Sequence, residues 1–152
     1  WIDFPREGNG WSFHYCRRQW SLRENENLKY QWLGEFDEDM IKLAKENAIF
    51  KQRMANLCLI KEPEKTICFY RKGLLFVFNF SPSQSLTNVL VPVPNEADYD
   101  VALCSDDWKY GGNGLVHHMT YPTKKFDGQY FVELYIPART AIVLKEKDIS
   151  ED

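Results

Sequence analysis

From about residue 56 the apolar residues change their period. "LCLIKE", "TICFYR", "LLFVFNF", "SLTNVLV", "DVALCS", "QYFVELYI" and "TAIVLKE" are short runs rich in β-branched and aromatic residues, the side chains that suit a pleated surface. Turn-formers separate them: Pro63-Glu64-Lys65, Lys72-Gly73, Ser81-Pro82-Ser83, Pro94-Asn95, Phe126-Asp127-Gly128 and Pro137-Ala138. No helical segment intervenes, so parallel crossovers are excluded and the runs predict an antiparallel sandwich or barrel. "LLFVFNF" is apolar on both parities, which predicts a strand in the middle of the sheets with both faces covered.

Up to about residue 50 the pattern is helical. Ser21-Leu22-Arg23-Glu24 reads as a capping box, with Ser21 as N-cap. Leu28, Trp32 and Leu33 then form one predicted buried stripe, and Gly34 is expected to interrupt it. Asp37 is expected to cap a second helix in which Met40, Ile41, Leu43 and Ala44 face inward while Asp39, Lys42, Lys45 and Glu46 face water. Helices and strands in blocks, rather than alternating, predict two units: residues 1–50 and an all-β domain over 54–149. The first has no sheet or third helix of its own and must pack on the second or on another body. The charged tail from Lys145 to Asp152 is expected to fray.

With 152 residues, 44% hydrophobic and 27% charged, the composition is that of a folded soluble protein. The net charge of −3, with both signs mixed, argues against a nucleic-acid partner. No run approaches the roughly 18 apolar residues that a membrane-spanning helix needs. Cys16, Cys58, Cys68 and Cys104 are widely spaced without a CxxC pair, the pattern of buried free thiols in a cytoplasmic protein. A plastid compartment stays open, because a transit peptide would lie upstream.

Catalytic and ligand motifs are absent: there is no GxSxG, GxxxxGK[ST], HExxH or GxGxxG between a strand and a helix. "YGGNG" (residues 110–114) precedes no helix, so it is expected to be a flexible loop whose glycines supply positive φ. His117 and His118 are adjacent and would point to opposite faces of a strand, so a structural or surface role is preferred to a metal site. Asp106-Asp107 beside Trp108 has the look of an acid/base pair near an aromatic platform. Aspartate after a strand more commonly bonds its own turn, and that role is preferred. No metal and no cofactor is expected.

One feature is left over. "WIDFPREGNGWSFHYCRRQW" packs three Trp, two Phe, one Tyr and three Arg into twenty residues and starts without Met, as if cut from inside a larger protein. Such density suits either a sugar-facing surface, with rings on pyranose faces, or a protein interface.

The stretch "WIDFPREGNGWSFHYCRRQWSL" resembles the segment after the last barrel strand in eukaryotic 1,4-alpha-glucan branching enzymes, W-x-D-x-P-R-x-G-N-x-x-S-x-x-Y-A-R-R-Q-(W/F)-x-L. Trp1, Asp3, Pro5, Arg6, Gly8, Asn9, Ser12, Tyr15, Arg17, Arg18, Gln19, Trp20 and Leu22 match, while Cys16 replaces a small Ala. "LKYQWLGEFDEDMIKL", "GLLFVFNFSPSQSLTNV", "DWKYGGNG" and "YIPARTAIVL" are similar to later segments of that family. In "LCSDDW" the family usually has Asp-Ser-Asp, so Cys104 removes a carboxylate.

The resemblance implies a (β/α)8 barrel followed by a C-terminal β-sandwich of about seven or eight strands. It implies an Asp nucleophile, a Glu acid/base and a second, substrate-positioning Asp that cut an α-1,4 bond and rejoin the chain to a 6-hydroxyl. All three, and a G-N-E-F-G-H-P-E run, are expected upstream of Trp1, so this chain has no catalytic residue of its own. Residues 1–50 would be the last barrel loop and closing helices, on the face where barrels of this type bind substrate. Trp1, Asp3, Arg6, Trp11 and Tyr15 are the implied substrate contacts, and Trp108 is a separate candidate on the sandwich. The implied partners are α-glucan (glycogen, amylopectin or amylose) and the catalytic barrel. The competing readings are a free-standing carbohydrate-binding module and a scaffold-only domain.

Overall fold

The computed structural model describes residues 4–14, 16, 19–51 and 54–147. Eight strands are present among them: β1 (Asn56–Lys61), β2 (Thr66–Arg71), β3 (Leu74–Asn79), β4 (Leu86–Val93), β5 (Asp98–Cys104), β6 (Tyr121–Phe126), β7 (Gln129–Ile136) and β8 (Thr140–Glu146). Every pairing is antiparallel and the strand order is β1-β2-β3-β8-β5-β6-β7-β4. β6 meets β5 only at Asp98↔Pro122 and Tyr99↔Tyr121, then pairs with β7 from Thr123 onward. That narrow joint lets the ribbon fold over into two layers, β1-β2-β3-β8-β5 against β6-β7-β4.

The layers meet through alternate residues. Cys68, Leu75, Val77, Tyr99, Cys104, Ile142 and Leu144 face Val89, Val91, Val93, Val132, Leu134 and Ile136 in one buried cluster. Burial also pushes the Cys68 and Cys104 thiols up to about 12, so these two are inert packing groups. All four cysteines are free.

β6 was not among the predicted runs. "YPTKKF" offers few apolar residues and carries Pro122 near its start, because only one side of this strand is packed. The turn after it behaves as its residues dictate. Asp127 and Gly128 both take positive φ, 46° and 80°, between the paired Phe126 and Gln129, giving a two-residue hairpin. "LLFVFNF" lies where expected, between β2 and β8, with Leu74 and Leu75 both fully buried on opposite sides.

The helical half differs from its sequence pattern. α1 (Trp20–Arg23) starts one residue before Ser21, so Ser21 is not its N-cap, and no side-chain cap bond is made. α2 (Tyr30–Glu46) runs straight through Gly34 and Asp37. Gly34 costs the helix only ~1 kcal/mol relative to Ala, and it leaves room for Arg23: a Cβ there would stand 2.3 Å from Arg23 Nε. Arg23 in turn reaches Glu38, Nη2 to Oε1 2.6 Å.

α2 lies on the outer side of the five-stranded sheet. Phe36, Leu43 and Ile49 pack with Phe76 on Leu74, Leu103, Tyr110 and Val143, forming a second cluster. The helix is therefore rotated from the expected orientation. Ala44 is buried, but Met40, Ile41 and Leu33 are exposed. Asp39, expected in water, points at the sheet's end instead. Nor does β8 fray at Lys145: the Glu146 N–H donates to Gly73 O at 2.9 Å, and the Lys147 N–H to Asp98 O at 2.8 Å. The rest of the predicted tail lies outside the described residues.

Candidate functional site

Two surfaces carry the sequence-predicted contacts. In the opening loop, Glu7–Asn9 forms a single 3-10 turn. The Arg6 N–H donates to Asn9 Oδ1 at 2.9 Å, and Asn9 Nδ2 donates to Phe4 O at 3.0 Å. The Trp11 N–H closes the turn on Arg6 O at 3.0 Å, so Arg6 and Trp11 are held at the two ends of one short loop. Trp11 has φ 57°, a left-handed backbone costly for a bulky side chain and held here by the surrounding bonds. Its ring is 66% exposed, beside Phe4 at 69% and Phe13 at 78%. Trp1, Asp3 and Tyr15 lie outside the described residues, as do Arg17 and Arg18.

The second surface follows β5. Asp106 is buried, and its carboxylate collects three N–H donors: Asn113 N at 2.9 Å, Asn113 Nδ2 at 3.3 Å and Leu115 N at 2.8 Å. Its carbonyl takes the Gly114 N–H at 2.7 Å. Asp106 thus closes residues 106–115 into a frame, the turn-bonding role preferred over acid/base chemistry. The glycine loop is correspondingly not a loose one. A Cβ at Gly112 would fall 2.2 Å from the Asp106 backbone, and one at Gly114 2.2 Å from Trp108 Nε1, so close approach requires both glycines, while Gly111 and Gly114 take positive φ.

The frame has two sides. On one, Gly111 sits against the Trp32 ring, and the Phe36 ring meets Tyr110 edge-on at 5.1 Å. Asp39 Oδ2 there accepts the Tyr110 hydroxyl at 2.6 Å and Lys109 Nζ at 2.9 Å. The Tyr110 hydroxyl first, and then the Lys109 ammonium, hold the Asp39 carboxyl below its usual range. Burial, then the hydrogen bond to Asp39, pushes Tyr110 up to about 12.

On the other side the indole of Trp108 is 74% exposed. Asp107 Oδ1 lies 2.7 Å from His118 Nε2, and His117 is exposed, its carbonyl accepting the Tyr121 hydroxyl at 2.6 Å. Both histidines lie on the surface in the loop before β6, not in a strand as expected. Among the described residues no group of three or more His, Cys, Asp or Glu is placed to hold a metal ion.

Sequence reasoning missed the Asp39–Lys109–Tyr110 cluster. The signal was present only as an acidic residue three positions after Phe36 and four before Leu43, a spacing that any amphipathic helix shows. It also weighed Asp106 and Asp107 as a pair, whereas the fold sends one inward to the loop and the other outward to His118.

The β-sandwich with its attached helix matches known proteins. The profile of the family described as "Alpha amylase, C-terminal all-beta domain" covers residues 60–147. Over 97% of its length the chain is 39% identical to the 1,4-alpha-glucan-branching enzyme of Yarrowia lipolytica, and 38% identical to that of Equus caballus. The corresponding enzyme of Dictyostelium discoideum is 37% identical. The chain spans 22% of the length of each of these relatives. Among solved structures, that of CldA, a cyclomaltodextrin glucanotransferase with a three-domain ABC distribution, superposes with a TM-score of 0.56 at 14% identity. It covers 95% of this chain and 27% of that one, a likeness of fold alone. The two-layer antiparallel architecture, the profile match over most of the strands and the extent of the sequence identity agree: this chain belongs to the family of alpha-amylase C-terminal all-beta domains.

Proposed function

We propose that this chain is the C-terminal, non-catalytic part of a 1,4-alpha-glucan branching enzyme, a glycosyltransferase that makes α-1,6 branches in a glycogen- or starch-type polymer. The observation that carries this reading is the 39% identity to a named branching enzyme over 97% of the chain, which covers 22% of that relative. An identity of this level that extends over helical half and sandwich together supports a shared piece of one enzyme rather than a module common to many. The division of labour follows: residues 1–50 are the end of the catalytic barrel and residues 54–149 the sandwich that braces it.

In this role the chain binds and positions, and the bond-breaking acids belong to the barrel. The turn carries an arginine at one end and an exposed Trp11 at the other. Such a pair suits a pyranose, whose C–H face stacks on an indole while its hydroxyls accept from a guanidinium. Trp1, Asp3 and Tyr15 complete the contact by the family resemblance. The Asp106 frame holds α2 to the sandwich through Tyr110, Lys109 and Asp39. We place the enzyme in the cytoplasm, with a plastid as the alternative, on its four free thiols.

The test is the coding sequence upstream of Trp1. The expected result is a reading frame that encodes G-N-E-F-G-H-P-E and three barrel acids. A frame that encodes an unrelated domain there would overturn the assignment in favour of a carbohydrate-binding or scaffold module.

A further inference from the structure

Trp108 is exposed in a part of the molecule where the packing is otherwise tight. Its neighbours Cys104, Asp106 and Tyr110 are buried, and Asp106 spends a buried carboxylate on three N–H groups to fix the loop that follows. The ring is not left to swing freely. Gly114, at φ 63°, brings its backbone so close that any Cβ would strike Nε1, Cε2 and Cδ1 of the indole. A flat aromatic surface is thereby held against the frame on its pyrrole edge and open to solvent elsewhere. Asp107, its neighbour in the chain, lies 2.7 Å from His118, so a carboxylate and an imidazole are fixed by their mutual bond in the same loop region. An oriented indole flanked by fixed hydrogen-bonding groups is the chemistry that recognises a pyranose ring.

We propose that Trp108 is the platform of a second α-glucan contact, on the sandwich, with Asp107 and His118 bonding the hydroxyls of the stacked sugar. The ligand class rests on the branching-enzyme reading, while the platform rests on the loop geometry. The contact is one or two glucose units long, as a single ring allows. It holds a distant part of a long polymer and takes no part in bond exchange.

The experiment uses the whole protein that carries this chain, labelled with 5-fluorotryptophan, and maltoheptaose as the probe. Titration is expected to shift the Trp108 fluorine resonance, assigned with Trp108→Phe. Affinity electrophoresis through glycogen is expected to show retention weakened about two- to tenfold in Trp108→Ala and by less in Trp108→Phe and His118→Ala, with unchanged thermal melting. A resonance that does not respond to maltoheptaose overturns the site, as does a Trp108 shielded from acrylamide in the whole protein. So does a folded Trp108→Ala with undiminished retention. Branching by the unsubstituted protein is measured separately. Its absence would sink the functional reading while leaving a maltoheptaose-responsive Trp108 intact, so the two failures are distinguishable.

Discussion

The two sheets of the sandwich turn different outer surfaces to their surroundings. Outside the five-stranded sheet lie Leu74, Phe76, Leu103 and Val143 beneath α2, and the apolar surface continues past the helix. Phe69 stacks on Phe76 at 4.8 Å and on Phe78 at 5.9 Å, and Phe78 stacks on Phe80 at 5.8 Å, with Leu57, Ile60 and Phe80 more than half exposed. Outside the three-stranded sheet, Lys124 pairs with Glu133 amid Leu90, Phe131 and Tyr135. The inner faces are alike and the outer ones are not. The inner pattern makes a sandwich; the outer difference gives the sandwich a direction, with a continuous apolar surface partly under α2 on one side and a mixed apolar and charged one on the other. Such an asymmetry fits the bracing role proposed above.

Substitutions on the two sides should break this comparison if it is wrong. Leu74 is fully buried between sheet and helix, so Leu74→Ala should lose ~2–5 kcal/mol in urea unfolding. Leu90→Ala, on the other outer face, should lose less than ~1 kcal/mol. Equal losses would mean the helix does not cover its sheet. Next in size is Asp106→Ala, which strands three N–H donors and should cost about 2–4 kcal/mol, with backbone amide exchange accelerating at Asn113 and Leu115. If those amides stay protected, the frame is held by something else.

Asp39→Asn should cost ~1 kcal/mol by weakening the Tyr110 and Lys109 bonds, and should loosen α2 without melting the strands. Its pH signature has a definite sign. The folded carboxyl lies below its unfolded value, so its contribution is complete above about pH 4 and is lost as pH falls through the lowered folded value. Amide exchange in α2 should therefore rise in acid, and this rise should vanish in Asp39→Asn. Smallest of all, Lys124→Ala should change stability by no more than ~0.5 kcal/mol, since its ion pair is largely solvated.

The sandwich was readable in the sequence because strand periodicity records burial directly. β3 and β8 show it, and even the central place of "LLFVFNF" followed from two apolar parities. β6 escaped because a strand that joins two sheets at a corner buries little and so alternates weakly. The helices were misjudged because a surface helix resting on a sheet takes its orientation from its partner. Leu74 and Tyr110, about 30 and 70 residues away, decide which face of α2 turns inward, and no local pattern can report them. Capping residues misled for the same reason: Ser21 and Asp37 have the right chemistry, yet the ends of α1 and α2 are set by what they pack on. Of the candidate site, Arg6, Trp11 and Trp108 could be nominated in advance because aromatics and cations are visible as composition. The Asp106 frame depends on a carboxylate reaching residues seven to nine positions on, and appears only once the chain is folded.

The central claim, a non-catalytic piece of a branching enzyme, is tested most directly by proton NMR of amylose after incubation. Anomeric signals of α-1,6 linkages should grow with the whole protein and stay absent with residues 1–152 alone. Growth with the isolated chain, or none with the whole protein, would contradict the account.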